Sequence, residues 1–237
     1  MYSRPEKIQI FSMIPCWIWV FILFPMFMPF LGLGIWEDPE IIVWLEIGYH
    51  VANGILMLFL MSSYLKEEWF MVTTDYLFYI KHIALTVGLI VVTELLLIDT
   101  LFIFGLDVRY MLECLPAVEM YVSQTPLFVI GIRPILGTIT LSVFAPISIC
   151  ALFYCFAFAP ICYRKAWPAY LCIAAVTLIP SVIDYIWRGE LNGYQIQLPI
   201  HLLACWSYQK TNNVWTPVFS LAIFNLLASV TLPLLLL

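Results

Sequence analysis

Few residues in this chain have the chemistry to do more than pack. Glu46, His50 and Asn53 stand at i, i+4 and i+7, a spacing that puts all three on one face of a helix. Glu94 and Asp99 follow, then Arg133, Asp184, His201 and Asn225. A carboxylate beside an imidazole can exchange a proton with substrate if the two lie within about 3 Å or share one water. Glu46 with His50, or Asp184 with His201, are the pairs that could do this. Arg133 is the natural counter-ion for Asp99 or Glu94. The adjacent glutamates Glu67 and Glu68 could in principle activate water. They follow Lys66 in a polar stretch, and the expectation is a solvated, membrane-proximal turn.

The elements that must position these groups are apolar. Hydrophobic residues make up 64% of the 237 and charged residues 11%, where a soluble domain carries about a quarter charged. Mean hydropathy is +1.00. So much apolar surface cannot fit in one aqueous core, and the expected solvent is lipid. The net charge of −5 and ten scattered basic residues offer no surface to nucleic acid. The expected fold is all-α: a polytopic integral membrane helix bundle of seven or eight transmembrane helices, forming a single transmembrane domain over 1–237.

A crossing needs about 20 apolar residues. The spans read as Ile8–Leu33, Ile41–Tyr64, Ile80–Phe104, Pro168–Trp187, Gln195–Tyr208 and Val214–Leu236. Ile8–Leu33 is too long for the core of a cleavable signal peptide. Polar loops are expected at Leu65–Tyr79 and Gly105–Thr125, with a polar turn at Gln209–Asn213. Pro126–Cys162 would run on the order of 55 Å as a helix, too long for one straight crossing. Pro134 and Pro146 should break it, into one kinked span or a re-entrant piece plus a span. A single crossing puts Arg4, Lys7, Lys66, Lys81, Arg164, Lys165 and Lys210 all on one side, which the positive-inside rule makes cytoplasmic. The N-terminus is then inside and the C-terminus outside; two crossings invert the second half. With seven crossings, Glu46, Asp99, Arg133 and Asp184 fall in the outer half, and His50, Glu94, His201 and Asn225 nearer the middle. An ionisable group at the bilayer centre costs about 2.5–3.5 kcal/mol, so each should face the bundle and be paired. Asn53 and Asn225 suit helix–helix hydrogen bonds. The tryptophans gather near span ends, as in an interfacial belt. The seven cysteines include no CxxC and no zinc spacing with histidine, and no cofactor or metal is expected.

With Tyr208, Thr211, Asn213, Trp215, Pro217 and Asn225 in their spacing, and Ala145, Pro146, Ile147 and Phe153 upstream, the C-terminal stretch resembles the CPBP family of intramembrane proteases, the CAAX-protease and bacteriocin-processing or Abi proteins. Tyr208, Thr211, Asn213, Trp215, Pro217 and Asn225 keep that family's terminal spacing, with Leu221 at its histidine position. Ala145, Pro146, Ile147 and Phe153 resemble its first motif, with Ile149 and Cys150 where a glutamate pair stands and Tyr154 where an arginine stands. The middle motif would fall near Thr177–Asp184, which holds no histidine. The resemblance covers 144–237. It implies the family's helical membrane fold and argues against its chemistry, in which glutamates activate a water with histidines assisting. No catalytic residue carries over.

Three functions follow. The first is a pseudoprotease of a bacterial plasma membrane that binds a membrane protein or peptide, in the manner of an immunity protein, chaperone or accessory subunit. The second is an enzyme with a relocated site. The third is a small transporter using an outward polar cavity.

Overall fold

A computed structural model describes residues 39–103, 132–151, 166–188 and 194–235. The expected first span, the loop at 105–125 and the Arg164–Lys165 pair lie outside these residues. Among the described residues the chain is all-helical.

Helix α1 (Pro39–Leu60) starts on a proline, whose missing N–H would have no helical partner there in any case. Met61 then takes φ −106° and ψ 16°, a slight hitch, and α2 (Ser62–Thr74) continues almost in line. The N–H of Met61 still reaches the Met57 carbonyl at 2.9 Å, and that of Leu65 reaches Met61 at 2.8 Å. This corrects the expectation of a polar loop from Leu65. Lys66, Glu67 and Glu68 are good helix formers, and α2 buries Tyr64, Leu65 and Glu68 on one face. Asp75 breaks the helix at φ −127°, ψ 55°. Helix α3 (Tyr76–Ile103) follows, with 28 residues spanning about 42 Å.

Residues 132–151 form one helical rod rather than a broken one. Helix α4 (Ile132–Ile139) passes through a π-helical turn, Thr140–Phe144, into α5 (Ala145–Cys150). The wide turn precedes Pro146. The N–H of Ala145 bonds back five residues to the Thr140 carbonyl, so the Leu141 carbonyl would next look to residue 146, which has no N–H. The kink expected at this proline is taken up as a bulge.

Helices α6 (Ala166–Arg188), α7 (Tyr194–Thr211) and α8 (Trp215–Leu235) complete the chain. Pro168 and Pro217 sit in first turns, where a missing N–H costs no helical bond. Helix α7 packs between α6 and α3, and α8 packs on α3, α7 and the α4–α5 rod, which in turn holds α1. One buried cluster runs through the bundle from Met57 and Met61 to Ile90, Ile147, Ile173 and Leu221. A smaller one joins Ile47, Leu141, Ala145 and Ala228. At Gly54 the α1 backbone lies against the π turn so closely that an added Cβ would meet Phe144 Cβ at 2.8 Å.

Candidate functional site

Among the described residues the best-connected polar group is a buried knot where α2 meets the α7–α8 turn. Helix α7 ends at Thr211. Asn212 follows with φ 48°, the left-handed conformation in which asparagine is among the best-tolerated residues. Its N–H bonds the Tyr208 carbonyl at 2.6 Å. Asn213 then turns the chain into α8: its Oδ1 accepts from the Trp215 N–H at 2.9 Å, an Asx turn. The Asn213 Nδ2 donates to the Glu68 carbonyl at 2.9 Å. The Glu68 Oε2 accepts from the Val214 N–H at 3.2 Å. A carboxylate is thus supplied from α2 to the N-terminus of α8, where unpaired N–H groups and the helix dipole favour negative charge. Trp215 Nε1 donates to the Leu65 carbonyl at 2.9 Å.

Glu68 and Asn213 are both 0% exposed. The expectation that Glu67 and Glu68 form a solvated turn is therefore corrected for Glu68: only Glu67 is exposed. The Gln209–Asn213 turn is polar as expected, but Thr211 and Asn213 are buried in it. The hydroxyl of Thr211 donates to the Ser207 carbonyl at 2.9 Å. Buried Tyr79, at the start of α3, lies within interaction range of the Glu68 carboxylate and the Asn213 amide. Two of the expected belt tryptophans close the knot: Trp69 and Trp215 meet edge to face at 5.5 Å, and Phe219 stacks on Trp215 at 5.6 Å. Neither carboxylate burial nor the knot was visible in local sequence. The available signal was the pair Asn212–Asn213, one residue suited to a left-handed cap and the next to an Asx turn.

The residues expected deeper in the bundle are placed as follows. At ~1.5 Å per residue, the rise from Tyr79 to Glu94 is about 22 Å, and that from Asn213 to either His201 or Asn225 about 18 Å. His50 stands about 22 Å from Leu65 along α1 and α2. Counted along their own helices from the knot, these four lie at similar heights. Their helices pack in sequence: α1 on α5 and the π turn, α8 on that rod and on α3, and α7 on α3 and α8. Asn225 has a clear task. Its Nδ2 donates to the Leu141 carbonyl at 2.8 Å, the carbonyl stranded by the π turn and Pro146. His201 is buried on α7, and His50 half-buried on α1. Glu94 is 3% exposed, and neither carboxyl oxygen has a hydrogen-bond partner among the described residues.

Asp99 does not face the bundle as expected; it is exposed. Five residues along a helix turn through about 140° net, so Glu94 and Asp99 point to different sides. The backbone places Glu46 on α1, Arg133 on α4 and Asp184 on α6, while their side chains lie outside the described residues. Among the described residues no group of His, Cys, Asp and Glu is arranged to hold a metal ion.

The two stretches that carry the family resemblance pack against each other, α8 on the π turn and α5. Cys150 and Leu221 are buried in one contiguous apolar cluster, with Ile149 half-buried against it. These positions contribute a thiol and two hydrocarbon side chains where the resemblance would put two glutamates and a histidine. No protein-family model, no curated protein and no solved structure matches the chain.

Proposed function

We propose that this is an integral membrane bundle of seven crossings that acts by binding a membrane protein or peptide, its second half a CPBP-like scaffold whose proteolytic positions are filled by an apolar plug. The observation that carries the membrane part is an inverted distribution of polarity. Glu68, Glu94, Asn213, Thr216 and Ser220 are buried, while Leu85, Val92, Leu95, Leu96 and Ile103 are exposed along α3. That helix is long and apolar enough to cross a bilayer over Tyr76–Thr100, with a mean hydropathy of 2.1, and only 17% of it is buried. A core helix of a soluble protein would be mostly covered. Among the described residues it is the one helix that meets this test; His50–Leu60, Leu136–Cys150 and Trp215–Ser229 are shorter apolar runs.

The knot supports seven crossings over eight. The contact of Glu68 with Val214 brings the α2 end to the α7–α8 turn, which supports a reading with both on the same side of the membrane. On that reading an even number of crossings separates them, and if α3, α6 and α7 each cross once, the stretch containing α4 and α5 crosses once as well. That reading keeps Lys66, Lys81 and Lys210 on one side, the cytoplasmic side of a bacterial plasma membrane.

The binding part rests on the plug. Ile149, Cys150 and Leu221 occupy the positions where the resemblance would put two glutamates and a histidine, and Cys150 and Leu221 are fully packed. The test is reconstitution in lipid vesicles with peptide substrates, alongside identification of proteins that co-purify in mild detergent. The expected result is a stoichiometric partner and no cleavage. Cleavage that disappears on substitution of a bundle residue would overturn the reading.

A further inference from the structure

Glu94 lies inside the apolar Tyr76–Thr100 stretch of α3 and is turned inward. Thr86, Ile90 and Glu94 are spaced four apart, so they form one stripe down the helix, and all three are buried. Helix α3 packs on α7 and α8 and, at its start, on α2. Glu94 is 3% exposed, and both of its carboxyl oxygens lack a hydrogen-bond partner among the described residues.

Few groups could answer a charge there. Over Trp215–Leu235, α8 carries no ionisable residue. From α2 the buried titratable groups are Tyr64 and Glu68, at the knot and about 22 Å down the axis. From α7 they are His201, Cys205 and Tyr208, with His201 at a height similar to that of Glu94. Thr86, Ser207 and Ser220 are buried on α3, α7 and α8, but each hydroxyl donates to a carbonyl of its own helix, at 2.7, 2.8 and 2.8 Å.

We propose that Glu94 is a proton-binding site: it carries its proton in the folded bundle, and the neutral acid is the form that lets α3 close on α7 and α8. The inference rests on the membrane reading above. A carboxylate taken out of water and left without a partner is costly enough that burial selects the uncharged acid. A metal cation suits the position less well than a proton, because a hard cation needs many oxygens at once, about 6–8 for calcium. Loss of the proton would leave a charge that only water could answer. The α3 seam must then open to admit water, so occupancy of the site is coupled to the packing of α3.

Dicyclohexylcarbodiimide, which partitions into membranes, reports the proton directly. The acid proton passes to a carbodiimide nitrogen, the carboxyl oxygen adds to the central carbon, and the O-acylisourea rearranges to an N-acylurea that keeps every atom of both reactants. Membranes holding wild type or Glu94→Gln are treated at neutral pH, and peptide mass spectrometry reads the adduct. Wild type should be labelled at Glu94 about tenfold more than at the exposed Glu67, Glu94→Gln should lose that adduct, and sodium or calcium salts should leave it unchanged. Thermal unfolding in detergent gives a second readout that needs no reagent. The amide has the shape of the uncharged acid, so Glu94→Gln should unfold at the wild-type Tm or above it. No adduct at Glu94 in wild type, or a lower Tm for Glu94→Gln, would overturn the proposal in favour of a carboxylate held by a counter-ion such as His201 or Arg133. An adduct suppressed by sodium or calcium would overturn it in favour of a metal cation. A chain found in the soluble fraction would instead overturn the membrane reading, so the two failures are distinct.

Discussion

Removal of the Glu68 carboxylate tests the knot most sharply. In Glu68→Ala the Val214 N–H loses its acceptor in a site with no exposure. An orphaned buried donor costs ~1–3 kcal/mol, and the lost charge at the α8 N-terminus about 0.3–2 kcal/mol more. A loss of about 3 kcal/mol is expected, before any cost of the cavity. For a chain of this length each kcal/mol moves Tm by ~2–4 °C, so thermal unfolding in detergent should fall by about 6–12 °C. Glu68→Gln keeps an acceptor of the same shape, and its loss should be less than half as large. Asn213→Ala removes two further bonds to the same turn. Because both side chains hold one element, the double variant should be less destabilised than the sum of the singles, with a coupling of ~0.5–3 kcal/mol. If Glu68→Ala shifted Tm by no more than an exposed substitution such as Glu67→Ala, or if the two singles added, the knot would not be what holds α2 to the α7–α8 turn.

Other outcomes follow from single contacts. Asn225→Leu should cost ~1–3 kcal/mol by stranding the Leu141 carbonyl, and Pro146→Ala should recover part of that loss by restoring an N–H; equal Tm values for the single and double variants would refute this. Gly54→Ala should destabilise by ~1–3 kcal/mol through overlap with Phe144, while Gly48→Ala should be neutral or stabilising by about 0.5–1 kcal/mol; denaturation midpoints distinguish the two. Glu94→Leu replaces a buried carboxyl with no described partner and should raise stability by ~1–3 kcal/mol; a fall in Tm would mean that Glu94 has a partner that stabilises the bundle.

The helices were legible because apolar runs fix them. The expected spans Pro168–Trp187, Gln195–Tyr208 and Val214–Leu236 lie within about one turn of α6, α7 and α8. The polarity of the Asn212–Asn213 turn was legible too. The burial of Glu68 was not, because its acceptor role depends on a turn nearly 150 residues away, and locally Lys66-Glu67-Glu68 has the composition of a solvated segment. The π turn was hidden for a related reason: Pro146 announces a kink, but whether the chain breaks or bulges depends on Asn225 being there to take the stranded carbonyl. That Glu94 and Asp99 point to different sides was available from helical geometry alone; that Asp99 is the one facing outward came from the packing of α3. The identity of the proposed partner leaves no mark in the spacing of the residues; the positions where the resemblance would put catalytic groups hold Ile149, Cys150 and Leu221.

The most direct test of the membrane architecture is the sidedness of two exposed lysines, Lys66 on α2 and Lys210 on α7. Each is replaced, as Lys66→Cys and Lys210→Cys, and labelled in intact cells with a membrane-impermeant maleimide, scored as the gain over the parent protein. Both positions should stay protected until the membrane is permeabilised, and then label together. Labelling of both from the outside would contradict the cytoplasmic placement of the knot, and labelling of one without the other would contradict the seven-crossing bundle.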